Sequence, residues 1–168
     1  MKNLYSLWIV PPIKTSEPLR EVIANLSAKY GSPDFEPHIT LLGDISLDFE
    51  SLKQKAGLLV SKLKPFPISF GEVSFSTTYF QSVFVRVKVT AALMNANMLA
   101  KEIYKVDNNV FMPHISLIYG DHDMKTREKI VSEVGLLKDI SFEVSKLVVT
   151  PSTQNPNDWK HLAEFEIK

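Results

Sequence analysis

The sequence predicts an α+β protein built from two similar lobes. Strand-like segments and amphipathic helices follow one another in the order β-α-β-α-β-β-α-β-α-β-β, which is typical of this class. A short motif also occurs twice, as "PHITL" from Pro37 and as "PHISL" from Pro113. Each copy lies in a strand that follows a strand and a helix, so we expect two related halves that share a cleft. The whole chain, residues 1–168, is expected to be one bilobal domain.

The first half shows clear helix and strand signals. The expected elements, in chain order, are a strand over 3–11, a helix over 16–31, a strand over 35–42 and a helix over 46–63. The first strand is rich in aromatic and β-branched residues. Ser16 is a suitable cap for the first helix and Gly31 a suitable exit. Pro65 ends the second helix.

The second half repeats part of this pattern. The expected elements are strands over 66–75 and 79–89, a helix over 90–106, a strand over 111–120, a helix over 124–137, and strands over 140–150 and 161–168. In the segment 79–89, Phe80, Ser82 and Phe84 share one face, because side chains alternate along a strand. Thr90 is the expected cap of the third helix. The polar loop 151–158 joins the last two strands.

Composition excludes several classes of function. The chain of 168 residues has 19 basic and 19 acidic residues, so the formal net charge is zero and long nucleic acid is not an expected partner. It has no cysteine, which excludes disulfides, thiolate nucleophiles and cysteine-ligated metals. No apolar stretch is long enough to span a membrane, and the common cofactor motifs are missing. We expect a cytoplasmic monomer that needs no metal or cofactor and acts on a small anionic ligand.

The two motifs each present an imidazole and a hydroxyl on one face of a strand. Residues two apart point the same way, so His38 and Thr40 project together while Ile39 points to the core. By the same alternation, His114 and Ser116 project together in the second copy. A single His-x-Thr is most often structural. Two copies at the same place in a repeated pattern favour a functional role.

Two imidazoles and two hydroxyls suit phosphoryl chemistry without a metal. Imidazole has an ordinary pKa of about 6.5, so one ring can accept a proton while another donates one. One would take a proton from water, and the other would give a proton to a departing sugar oxygen. The hydroxyls would bind the non-bridging oxygens of the phosphate. A cyclic phosphate ester fits this arrangement.

These residues resemble the 2H phosphoesterase superfamily, and within it the cyclic phosphodiesterases of the plant and yeast type. The likeness extends over most of the chain and includes the segments "YSLWIVP", "PHITL", "TTYFQSVFVRV" and "FMPHISLIYGD" and the late Trp159. The pair of motifs is the specific part, and "YFQSVFV" narrows the branch. The second motif has Ser where many relatives have Thr, and the loops after both motifs differ.

The resemblance implies a fold, a reaction and a set of roles. The fold would have two pseudo-symmetric lobes, each an antiparallel sheet with helices outside, and a cleft between the sheets. The substrate would be a small cyclic-phosphate nucleotide, such as ADP-ribose 1″,2″-cyclic phosphate or a nucleoside 2′,3′-cyclic phosphate opened to the 2′-phosphate. The implied roles are catalysis by His38 and His114, phosphate binding by Thr40 and Ser116, and substrate contacts by Phe80 and Tyr119. His114 is provisionally taken as the base and His38 as the acid, an order that the sequence does not determine.

Two other functions remain open from the sequence. The same chemistry would serve an RNA 2′,3′-cyclic phosphodiesterase, although the neutral net charge speaks against RNA as substrate. A nucleotide-binding module without catalysis would keep the hydroxyls, but it has no need of two histidines. Turnover of small cyclic nucleotides distinguishes both alternatives from the leading hypothesis.

Overall fold

The computed structural model describes residues 3–107, 110–135, 137 and 140–168. Within these residues the chain forms four α-helices and eight strands. The strands are β1 Leu4–Ile9, β2 Ile39–Ser46, β3 Phe66–Phe75, β4 Val83–Val87, β5 His114–Ile118, β6 Ser141–Val144, β7 Lys146–Pro151 and β8 Ala163–Glu166. The helices are α1 Ile13–Tyr30, α2 Phe49–Ser61, α3 Ala91–Tyr104 and α4 Met124–Val134.

The strands form two antiparallel sheets of four strands, which confirms the α+β prediction. One sheet has the order β2-β1-β7-β8 and the other β5-β4-β3-β6. The unit β4-α3-β5 repeats the unit β1-α1-β2, because in both a helix connects two adjacent antiparallel strands. The motif strands β2 and β5 are edge strands in their sheets, and they contact each other. The two motifs are therefore brought together where the sheets meet.

The two halves interlock through their helices. Helix α1 packs against β5 of the other half, and α3 packs against β2. The buried amide of Asn97 in α3 donates a hydrogen bond of 2.8 Å to the carbonyl of Leu41 in β2. One continuous apolar core runs through both halves. Each motif strand is thus braced by the helix of the opposite half.

The prediction of one continuous strand over residues 140–150 is wrong. The segment 140–150 forms two strands, and they belong to different sheets: β6 pairs with β3, whereas β7 pairs with β1. Ser145 lies between them, where its carbonyl accepts a hydrogen bond from the amide of Ile167. Val144 and Leu147 are both buried in the same core. The apolar pattern therefore continues across the break and does not reveal the change of partner.

Several predicted boundaries also move. Helix α1 begins at Ile13, so Ser16 lies inside it and donates to the carbonyl of Ile13 instead of capping. Strand β4 begins at Val83, which leaves residues 79–82 in a turn. The predicted cap of α3 is confirmed, because the hydroxyl of Thr90 accepts a hydrogen bond from the amide of Leu93. Gly31 ends α1 in the left-handed conformation, also as predicted.

Helices α2 and α4 are capped by aspartates. Asp48 accepts a hydrogen bond from the amide of Ser51, so α2 begins later than the predicted residue 46. Asp123 accepts from the amide of Thr126 at the start of α4. Helix α4 ends at Val134, before the predicted end at residue 137; of that predicted segment, residue 136 lies outside the described residues. In the part of the chain that the structure describes, no helix has both the length and the apolar character needed to cross a bilayer.

Candidate active site

The six side chains singled out from the sequence line one cleft with a volume of about 600 Å³. They are His38, Thr40, Phe80, His114, Ser116 and Tyr119. His38 directly precedes β2, and His114 is the first residue of β5. The intervening residues Ile39 and Ile115 are fully buried, as the strand alternation predicts. The cleft therefore joins the two motifs.

Both histidines are held in the same tautomer by the same local contact. Nδ1 of His38 lies 2.7 Å from the carbonyl oxygen of Glu36, and Nδ1 of His114 lies 2.8 Å from that of Met112. A carbonyl only accepts, so Nδ1 carries the proton and donates it. The residue between donor and acceptor is proline in both copies, and its ring restricts the backbone there. In the neutral ring, Nε2 is therefore the nitrogen that exchanges a proton.

Burial keeps both imidazoles neutral. It lowers the pKa of His38 to about 4, and the charges of His114 and His161 act in the same direction, whereas the hydrogen bond to Glu36 opposes them. Burial also lowers the pKa of His114, helped by the charge of Arg86 and opposed by the hydrogen bond to Met112. Neither ring carries a charge near neutral pH in the free protein. A bound anion would favour the protonated form of either ring.

The two hydroxyls of the motifs differ in their surroundings. Thr40 is exposed to the cleft. Ser116 is only 5% exposed, and its hydroxyl donates a hydrogen bond of 3.0 Å to the carbonyl of Phe80. The proton of Ser116 is thus already used in the free protein, and the hydroxyl must rotate before it can donate to a ligand.

An aromatic residue lies against the imidazole of each motif histidine. Sequence reasoning did not identify either aromatic residue as part of the site. The Trp8 ring stacks on His38, with centroids 3.5 Å apart and planes at 8°. The Phe84 ring meets His114 at 5.2 Å and 62°. Trp8 pairs with Thr40 across the β1–β2 ladder, and Phe84 pairs with Ser116 across the β4–β5 ladder. The duplication therefore includes the aromatic residue beside each histidine.

Further aromatic rings form the rest of the wall. Trp159 meets the rings of Trp8, His38 and Tyr119 edge-on, at centroid distances of 5.4, 5.6 and 5.8 Å. Phe80 packs against Tyr119 at 5.2 Å, and burial raises the pKa of the Tyr119 hydroxyl well above its usual range. Tyr119 thus stays neutral. Trp159 is a part of the cleft wall.

The described residues contain no group of three or more His, Asp or Glu side chains arranged to hold a metal ion. Of the aspartates after β5, Asp123 is engaged as the cap of α4. The cleft brings together two neutral imidazoles, two hydroxyls and an aromatic wall, and polar residues such as Ser6, Asn97 and Lys101 also line it.

Comparison with known proteins identifies the family of the chain. Residues 3–167 match the family described as "Cyclic phosphodiesterase-like protein". The Arabidopsis thaliana protein named "Cyclic phosphodiesterase" is 25% identical over 153 residues, which cover 88% of this chain and 84% of that protein. A Neurospora crassa protein named "2',3'-cyclic-nucleotide 3'-phosphodiesterase" is 24% identical over 210 residues, covering 95% of this chain and 97% of that one.

Solved structures show the same fold. Escherichia coli LigT, solved in complex with 3'-AMP, superposes with a TM-score of 0.65 at 15% identity, covering 100% of this chain and 99% of that one. A structure described as a phosphoesterase gives a TM-score of 0.69 at 14% identity, with 99% of both chains covered. Two four-stranded antiparallel sheets with four helices are thus the LigT-like fold. The chain belongs to the cyclic phosphodiesterase-like family of the 2H phosphoesterase superfamily, and it is an enzyme that hydrolyses cyclic phosphates.

Proposed function

We propose that this enzyme opens small cyclic phosphates without a metal, using His38 and His114. The substrates would be ADP-ribose 1″,2″-cyclic phosphate, nucleoside 2′,3′-cyclic phosphates, or both, and the nucleosides would give the 2′-phosphate. The observation that carries this proposal is that both imidazoles line one cleft and both have Nδ1 bound to a carbonyl, which leaves Nε2 for proton transfer. The names of the Arabidopsis and Neurospora relatives support the substrate class.

The reaction needs one base and one acid. A water molecule attacks the phosphorus, and the neutral Nε2 of one histidine takes a proton from it. The bond from phosphorus to the 3′ oxygen breaks, and the protonated Nε2 of the other histidine gives that oxygen its proton. Thr40 and Ser116 donate hydrogen bonds to the non-bridging oxygens, where the negative charge grows. For Ser116 this requires release of the Phe80 carbonyl.

Burial favours an order of roles opposite to the one taken provisionally from the sequence. His38 is 8% exposed, and burial lowers its pKa to about 4, so the ring is neutral when the substrate binds, as a base must be before it takes a proton from water. His114 is only half-buried, and the phosphate of a bound substrate would more easily stabilise its charged form. We propose His38 as the base and His114 as the acid.

An activated substrate distinguishes the two orders. A p-nitrophenyl diester of a 2′-deoxynucleoside 3′-phosphate has no 2′-hydroxyl that could attack the phosphorus, so water must attack, and its nitrophenolate leaving group needs no proton. With His114 as the acid, His114→Asn is expected to keep most of its activity on this diester, and His38→Asn is expected to lose it. The reverse result would restore the order taken from the sequence.

Phe80 and Tyr119 are proposed to contact the rest of the nucleotide. Both rings line the cleft, and an aromatic face stacks on any base. LigT has been solved with 3'-AMP, which shows that a mononucleotide binds in a relative of this fold. The small aromatic-walled cleft and the neutral net charge favour a small nucleotide over RNA ends.

Turnover is the direct test. Purified protein with excess EDTA would be incubated with ADP-ribose 1″,2″-cyclic phosphate and, separately, with the four nucleoside 2′,3′-cyclic phosphates. His38→Ala and His114→Ala are expected to abolish ring opening. His122→Asn, a histidine outside the cleft lining, serves as the control and is expected to remain active. Activity that disappears with EDTA, or survives in both alanine variants, would overturn the mechanism; no turnover by the folded protein would overturn the substrate class.

A further inference from the structure

A buried arginine lies behind the aromatic wall of the cleft. Arg127, in α4, is 2% exposed and is among the largest fully buried side chains of the described residues. Among those residues it forms no ion pair with a carboxylate. A buried charge without a counter-ion is costly unless its donors are satisfied. The buried guanidinium of Arg127 is therefore expected to have its donors satisfied by hydrogen bonds.

Arg127 binds four backbone carbonyls on two separate segments. In the turn between β3 and β4, Nη1 donates to the carbonyls of Ser76 and Thr78, the latter at 2.9 Å. In the segment after β5, Nε donates to His122 at 2.7 Å and Nη2 to Gly120 at 3.3 Å. Between the two segments themselves there is also a hydrogen bond from the Gly120 amide to the carbonyl of Tyr79. The arginine thus joins both segments from behind.

These two segments carry the substrate side of the cleft. Phe80 and Gln81 of the turn line the cleft, and so does Tyr119 next to Gly120. Arg127 itself does not line it. The turn is also held by other contacts. The Ser76 amide donates to the carbonyls of Gln81 and Ser82, the Gln81 amide donates to the Thr78 hydroxyl, and the Phe80 carbonyl accepts from Ser116. Arg127 adds two hydrogen bonds from behind, to the carbonyls of Ser76 and Thr78 in the part of the turn that leads to Phe80.

We propose that Arg127 is a positioning residue that holds Phe80 where the base of the substrate stacks. This inference rests on the proposed function, in which Phe80 contacts the base. The planar guanidinium is suited to the task because its donors point in several fixed directions and reach both segments at once. The ammonium of lysine would present its donors from a single nitrogen. A positive charge at this position, without the guanidinium geometry, is thus not sufficient to hold both segments.

The kinetic test compares a substrate that has a base with one that lacks it. Adenosine 2′,3′-cyclic phosphate and the cyclic phosphate of methyl riboside would be assayed with wild type, Arg127→Met and Arg127→Lys. Arg127→Met is expected to raise KM for the adenosine substrate roughly 5- to 100-fold, the range for loss of one base stack, and to leave KM for the base-free substrate unchanged. Arg127→Lys is expected to lie between wild type and Arg127→Met.

A matched variant separates positioning from stability. Ile130 is fully buried on the same helix, and its side chain has no hydrogen-bonding group, so Ile130→Ala weakens the core without removing a hydrogen bond from either segment. It is expected to leave both KM values unchanged. Equal increases of KM for both substrates in Arg127→Met, or the same selective increase in Ile130→Ala, would overturn the proposal.

Amide hydrogen exchange tests the same role without turnover. Arg127→Met is expected to accelerate exchange of the Gly120 amide, which binds Tyr79, more than exchange of amides in β1 and β2. Ile130→Ala is not expected to do so selectively. An unchanged Gly120 amide in Arg127→Met would refute the role of the arginine. A wild type that opens neither substrate would refute the proposed function instead, and the exchange measurement would still decide whether Arg127 holds the turn.

Discussion

Acid is expected to destabilise the folded protein through His38. The ring is buried and stacked on Trp8, and burial lowers its pKa from 6.5 to about 4. Between these two values the unfolded chain binds a proton that the folded chain excludes. The free energy of unfolding therefore falls as the pH decreases from 6.5 to 4. Above pH 6.5 the ring is neutral in both states and this destabilisation is absent.

The size of the effect follows from the pKa difference. A decrease from 6.5 to about 4 corresponds to about 3 kcal/mol, at about 1.4 kcal/mol for each pKa unit. Of this, roughly 2 kcal/mol is lost between pH 7 and pH 5. That interval lies above the ordinary pKa range of aspartate and glutamate, so carboxylates contribute little there.

Urea unfolding of wild type and His38→Asn at pH 7 and pH 5 measures the effect. Asparagine carries an amide near the position of Nδ1, so it can still donate to the Glu36 carbonyl, but it does not titrate. Wild type is expected to lose roughly 2 kcal/mol more than the variant over this interval. His114→Asn is expected to change the loss in the same direction and by less, because His114 is only half-buried.

Equal losses in wild type and His38→Asn would refute the reasoning, since the folded protein would then not exclude the proton. An NMR titration of the His38 ring provides a second measurement that does not depend on unfolding. A pKa near 6.5 in the folded protein would contradict the argument in the same way.

Four further predictions concern the site and its supports. Because both imidazoles have lowered pKa values, kcat/KM is expected to reach its maximum below pH 6.5. The maximum of kcat is expected at a higher pH, because the bound phosphate favours the protonated ring. Initial rates measured from pH 4 to 9 check this, and a kcat/KM maximum above pH 7 would contradict it. Trp8→Leu is expected to hydrate His38 and raise its pKa toward 6.5 by NMR titration, whereas an unchanged pKa would show that the indole does not cause the burial. Gly120→Ala is expected to cost roughly 1–3 kcal/mol, because φ is 148° and the new Cβ would lie 2.5 Å from Nε2 of His122. Gly57 lies inside α2, and a Cβ added there would have no neighbour within 4 Å, so Gly57→Ala is expected to stabilise the folded protein by roughly 0.5–1 kcal/mol. Thermal melts measure both glycine variants, and melting temperatures that shifted in the same direction would contradict these expectations.

The periodic parts of the fold were predictable because they depend on local pattern. The alternation in "PHITL" and "PHISL" predicted that Ile39 and Ile115 point inward, and both are buried. The hydroxyl of Thr90 was predictable as a cap because it is needed within one turn of its own helix. The change of sheet at Ser145 was not predictable, because strand pairing depends on distant residues and leaves the apolar pattern intact.

The predicted residues of the site were those whose chemistry is visible in their type. His38 and His114 stand out as imidazoles in a repeated motif. Trp8 and Phe84 were missed because an aromatic residue in a strand is usually part of the core. Only the cross-strand pairing shows that each lies beside a motif histidine. Arg127 was missed because a lone arginine in an amphipathic helix reads as a surface residue, and only the structure reveals the four carbonyls around it.

The duplication supplies two similar imidazoles, but acid–base chemistry needs two different ones. Both rings have the same tautomer and an aromatic neighbour, yet they differ in their contacts. His38 lies face to face with an indole and is buried, whereas His114 meets a phenyl ring at an angle of 62° and is half-buried. The difference in proton affinity therefore comes from the surroundings of each motif and not from the motif itself. Exchanging the hydroxyl residues, as Thr40→Ser with Ser116→Thr, should leave the roles of the histidines unchanged. The p-nitrophenyl diester assay of His38→Asn and His114→Asn would be repeated in the background of this double exchange. If the variant that keeps its activity then became the other one, the hydroxyls would assign the roles instead.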